Sequence, residues 1–291
     1  MLARYDASRP LAFIHIPKTS GVALSAGLTK ALSCSSLVGK FDTAVFGDFN
    51  SFENLDPRLS AHLCKSWTEI PKDAGFIAGH FYASSLFKAY PEGQHITFLR
   101  EARSRLLSQW LYWRQMTDFD LSWLGDFADR LKTARQPLEE FLADPRVAFA
   151  TDNMMVRVLV SPHADVSTAD FIDSGSDKRL LSAALEVLDR MSYVDVIENP
   201  HFRVNLQTWL GREFAYDVAN RTERMPEGEK SPLHTHFTER AEALLYNRTR
   251  VDRRLWRMLL QAKLPGCDRR AIERASFSRT IARFSALMSG G

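Results

Sequence analysis

The apolar positions Leu11, Ala12, Phe13, Ile14 and Ile16 form a short, nearly continuous run broken only by His15. Such a run predicts a parallel strand covered on both faces. Pro17 stops it, and from Ser20 the apolar residues Val22, Ala23, Leu24, Ala26 and Leu28 fall at helical spacing. The predicted unit is strand, turn, helix. The same reading places strands over 74–78, 94–99 and 193–197, and helices over 102–116, 153–160, 178–191, 202–210, 239–260 and 269–287. Residues 33–57 keep no period and predict a surface excursion. Residues 220–236, with Arg221, Arg224 and Lys230 among Pro226, Gly228 and Pro232, predict a mobile flap. Alternating strands and helices argue for an α/β fold, with a central, mainly parallel sheet flanked by helices and helical C-terminal additions. A single domain is expected over 1–291, with a core at about 11–210 and a helical part at about 237–288.

Within the helix predicted over 102–116, Leu106, Trp110 and Trp113 make one apolar stripe. Tyr112 and the two tryptophans read as core packing. Ser108 lies about 200° around from Leu106 at 100° per residue, off the stripe, so its hydroxyl is available for another task.

Composition narrows the partners. The 291 residues carry a net charge of only +3, which gives no global case for nucleic acid, although basic residues dominate after Arg248. Cys34, Cys64 and Cys267 have neither disulfide-scaffold nor zinc-ligand spacing, so no metal is expected. The first residues lack a secretory apolar region and no run approaches a membrane span, which predicts a cytoplasmic protein.

The candidate chemistry sits where strands end. A strand-to-helix turn presents unpaired amides and the positive end of the helix dipole, a setting for phosphate or sulfate, and Lys18 adds a point charge. In PKTSG the lysine precedes the glycine, so the ATPase loop G-x-x-x-x-G-K-[ST] is not matched. At the end of the strand over 94–99, Arg100 offers a planar fork for a phosphate, and Ser108, two helical turns on, offers a hydroxyl to the same group. His80 lies just past the strand over 74–78, at the edge where α/β sheets bind ligands.

PKTSG followed by LREARSRLLSQW resembles the sulfotransferases that use 3′-phosphoadenosine 5′-phosphosulfate (PAPS), most closely the heparan sulfate 6-O- and 2-O-sulfotransferases and related bacterial enzymes. The resemblance spans about 11–210 and includes Gly79-His80-Phe81-Tyr82. It implies a P-loop-like three-layer fold and sulfuryl transfer to an acceptor hydroxyl, with a saccharide as the family's acceptor and 3′,5′-ADP as product. It implies that Lys18 and the amides of Thr19, Ser20, Gly21, Val22 and Ala23 hold the 5′-phosphosulfate. Arg100 and Ser108 then hold the 3′-phosphate, and His80 is the base. Asn153 and Arg157 match an acceptor-side pair of the family; a buried structural ion pair is the alternative. Ser20 replaces a family glycine, and Val22 and Ala23 stand where hydroxyls are common. Two other functions compete: a nucleotide-dependent kinase, and a non-catalytic nucleotide-binding protein of sulfotransferase-like fold.

Overall fold

The computed structural model describes residues 4–216 and 225–289. Six strands form one all-parallel sheet: β1 (Leu11–Ile14), β2 (Ser36–Asp42), β3 (Leu63–Cys64), β4 (Phe76–His80), β5 (Gln94–Leu99) and β6 (Tyr193–Val196). Their spatial order is β3-β2-β4-β1-β5-β6. β1 therefore lies between β4 and β5, with Ile14 level with Gly79 on one side and Thr97 on the other. This register brings three strand ends to one edge: the PKTSG turn after β1, His80 closing β4, and Arg100 just past β5.

The principal helices are α1 (Gly21–Leu32), α2 (Ala83–Ala89), α3 (Ala102–Arg114), α4 (Met154–Val160), α5 (Asp177–Asp189), α6 (Phe202–Leu210), α7 (Glu239–Arg248), α8 (Arg250–Lys263) and α9 (Arg269–Met288). The pleat sorts them into layers. Leu11 and Phe13 of β1 and Ile96 and Phe98 of β5 pack with α1 and α6 on one face. Ala12, Ile14 and Leu99 point the other way, into a core shared with α2, α4, α5 and α8. A third apolar cluster joins α3, α7 and the end of α9.

Two expectations need correction. Part of 33–57 is not an excursion: β2 pairs with β4 and carries a bulge between Val38 and Lys40, where Gly39 takes a φ of 87°. The bulge and the mixed exposure of this strand erase the alternation that would have marked it. The helix expected over 239–260 is two helices, separated at Thr249. Within the expected flap, Arg221 and Arg224 lie outside the described residues. Lys230 is paired with Glu227.

Among the described residues, no helix is long and apolar enough to cross a membrane.

Candidate functional site

The turn after β1 is tight and left-handed twice, at Lys18 (φ 67°) and Ser20 (φ 66°). Thr19 is fully buried between them, its Oγ1 donating to the Ile16 carbonyl at 2.8 Å. That hydroxyl holds the turn together. Leu24 makes the first bond of α1, to the Ser20 carbonyl, so the amides of Gly21, Val22 and Ala23 are the open donors of the helix N-terminus. Gly21 is required by a neighbour: a Cβ there would come within 1.8 Å of the His15 ring.

Ser20, Gly21, Val22 and Ala23 line a cavity of about 580 Å³ together with His15, Lys18, His80, Arg100 and Ser108. Thr19 does not, contrary to expectation: it is fully buried and its amide donates to the Ile16 carbonyl at 3.4 Å. The Lys18 ammonium stands 3.9 Å over the Tyr112 ring. Burial, followed by the positive charges of Arg100, Arg283 and Arg105, pulls its pKa down to about 7. The Arg100 guanidinium donates to the Lys18 carbonyl at 3.0 Å, tying the end of β5 to the turn. Burial lowers its pKa, while Glu198 and Glu101 oppose that shift. Ser108 is buried on α3 and lines the same cavity.

His80 Nδ1 lies 2.7 Å from the His15 carbonyl oxygen. A carbonyl only accepts, so Nδ1 carries the proton and Nε2 keeps the lone pair. Burial lowers the His80 pKa to about 4, the bond to His15 opposes the shift, and Lys18 adds to it. The ring is therefore neutral at pH 7. His15 packs against it at 4.3 Å between centroids and is itself held well below the ordinary histidine value by burial, His80 and Lys18.

Asn153 and Arg157 do not line the cavity, contrary to the acceptor-side expectation. Asn153 is fully buried; its Oδ1 accepts from the amides of Val251 and Asp252, and so caps α8. Arg157 is spent on the Asp152 carboxylate at 2.9 Å and on the carbonyls of Asp152, Ser167 and Asp170. The buried-ion-pair alternative describes Arg157; Asn153 is a neutral neighbour whose Nδ2 donates to the same Asp152 carboxylate at 3.0 Å.

The sequence reading missed several residues. His15 reads only as a break in an apolar run, although its place at a strand end was a usable signal. Tyr112 reads as core, yet it lies beneath Lys18. Arg283 comes from α9, about 265 residues from Lys18 along the chain, and no local pattern marks it.

The architecture defines an α/β protein in which the open amides of a helix N-terminus, the basic side chains of Lys18, Arg100 and Arg283, and a neutral histidine share one cleft. No protein-family model matches the chain, and no curated protein matches it significantly.

Proposed function

We propose that the protein is a sulfotransferase that moves a sulfuryl group from PAPS to an acceptor hydroxyl. The observation that carries this reading is convergence: the open amides of α1, Lys18, Arg100 and Ser108 line one cavity with His80. The cations sit at two strand ends, suited to a nucleotide with one anionic group at the 5′ position and another at the 3′ position. Lys18 and the amides hold the 5′-phosphosulfate; Arg100 and Ser108 hold the 3′-phosphate.

In this reading the acceptor oxygen attacks sulfur. The new O–S bond forms as the S–O bond to the 5′-phosphate breaks. The acceptor proton passes to His80 Nε2, and the electron pair of the broken bond leaves with the phosphate of 3′,5′-ADP. Lys18 stabilises that developing charge. The Nδ1 bond to the His15 carbonyl orients the imidazole and favours its protonated form.

The test is calorimetric titration with 3′,5′-ADP and with 5′-AMP, repeated for Arg100→Ala. We expect 3′,5′-ADP to bind about 10–100-fold more tightly, from charge-assisted bonds to the extra phosphate, and the variant to lose that preference. Equal or absent binding of the two nucleotides by the unaltered protein would overturn the reading.

A further inference from the structure

The cavity continues past the cation cluster into a chamber walled by aromatic rings, and the series begins at His80. The Phe41 ring lies 5.2 Å from His80, Phe46 6.1 Å from Phe41, Phe127 4.9 Å from Phe46, and Phe149 6.0 Å from Phe127. Phe52 adds a further ring 5.8 Å from Phe46. Three segments remote in sequence supply them: the β2 end with the connection to β3, the chain after α3, and the turn before α4.

Charge is unevenly placed around this cavity. The basic residues that line it are Lys18, Arg100 and Arg283, and both arginines act electrostatically on Lys18 at the anion end. Among the described residues its one acidic lining residue, Asp120, is engaged as a cap with the Thr117 amide and hydroxyl. A saccharide would bury several hydroxyls against phenylalanine and leucine with few partners, and each unpaired hydroxyl opposes binding. An anionic saccharide would also need cations, and among the described residues the aromatic wall supplies none. A molecule with one hydroxyl on an apolar body meets neither cost, and burial of its body favours binding.

We propose, on the sulfotransferase reading above, that the acceptor is a small uncharged phenol or apolar alcohol, seated in the aromatic chamber with its hydroxyl at His80. This acceptor class differs from the saccharide of the enzymes that the sequence resembles.

The test uses the full chain and two probes, 2-naphthol and 1-octanol, titrated calorimetrically with and without saturating 3′,5′-ADP, beside N-acetylglucosamine. Saturable binding of either apolar probe is expected, weakened about 10-fold or more by Phe46→Ala and by Phe52→Ala. Both rings are only partly buried, and unchanged 3′,5′-ADP affinity and melting temperature verify that each variant is folded. With PAPS present, the bound probe should become its sulfate ester, with KM raised in the same variants. If neither apolar probe binds while 3′,5′-ADP does, this inference falls and the donor site stands. Saturable binding of N-acetylglucosamine in place of the apolar probes overturns it equally. If an apolar probe binds and 3′,5′-ADP does not, the chamber stands and the sulfuryl-transfer reading falls.

Discussion

His80, the base in the proposed reaction, has its proton affinity set by its surroundings. Enclosure and the nearby Lys18 lower its pKa to about 4, so the free protein holds it neutral across most of the physiological range. Lys18, with a pKa near 7, is the group that loses its working form as pH rises. The dependence of kcat/KM on pH follows from the two signs. Activity rises as His80 deprotonates through about pH 4 and falls as Lys18 deprotonates through about pH 7, giving a bell on the acid side of neutrality. Lys18→Arg should remove the alkaline limb, because arginine stays charged; an unmoved limb would assign it to another group. His80→Ala should lower kcat by about 10²–10⁴ while 3′,5′-ADP affinity, measured calorimetrically, stays unchanged. A comparable fall in nucleotide affinity would make His80 a binding residue instead of the base. Residue-scale legibility was uneven. Lys18, Gly21, Arg100 and Ser108 were readable because a strand end or a helix face locates them. Arg157 was readable only as a charge among apolar neighbours, and its commitment to Asp152 depends on contacts that sequence does not show.

At the scale of elements, α3 carries Ser108, part of the proposed donor site, and its start is anchored by Glu101. This buried carboxylate accepts from the Ser104 amide at 2.8 Å and the Ser104 hydroxyl at 2.7 Å, and pairs with Arg103 at 3.0 Å. Removing it deletes a helix cap and breaks a buried ion pair. Glu101→Ala should cost about 2–4 kcal/mol in equilibrium denaturation, with Glu101→Gln costing less because an acceptor remains. Equal stability of Glu101→Ala and the unaltered protein would show that the cap carries no weight. The helices of the sheet layers were predictable from periodicity within a few residues. The break at Thr249 was not, because its cause lies elsewhere in the chain. Asn153 accepts the Val251 and Asp252 amides, and its own amide donates to the Arg248 carbonyl at 2.7 Å, so a contact about 100 residues away ends one helix and starts the next.

At the scale of the molecule, Glu198 joins the sheet to the C-terminal helices. Just past the end of β6, it accepts from the Glu101 amide, from Trp256 Nε1 on α8 and from the Ser276 hydroxyl on α9. Val251, Leu255, Trp256 and Leu260 of α8 join the core on one sheet face, while Phe284 and Met288 of α9 join the cluster around α3. We expect these contacts to couple the C-terminal helices to the sheet, so that far-UV circular dichroism and tryptophan fluorescence report one coincident unfolding transition. 3′,5′-ADP at 100 times its Kd should shift the whole transition, adding about 2.7 kcal/mol. Two separate transitions, only one of them moved by nucleotide, would divide the chain into two units.

Sequence alone determined the parallel α/β architecture and the strand-turn-helix unit at 11–28, because short apolar runs and helical spacing are local consequences of burial. It also singled out Lys18, Arg100 and Ser108 for the proposed donor site, through a strand's carboxyl end, an off-stripe helix position and the family resemblance of the two motifs that hold them. Tertiary structure alone decided three things. It set the strand order that brings β1, β4 and β5 to one edge, the commitment of Asn153 and Arg157 to internal partners, and the meeting of Phe41, Phe127 and Phe149 in one wall. Each depends on which distant segments share space, and strand pairing and side-chain packing fix that in three dimensions, beyond the reach of any local period.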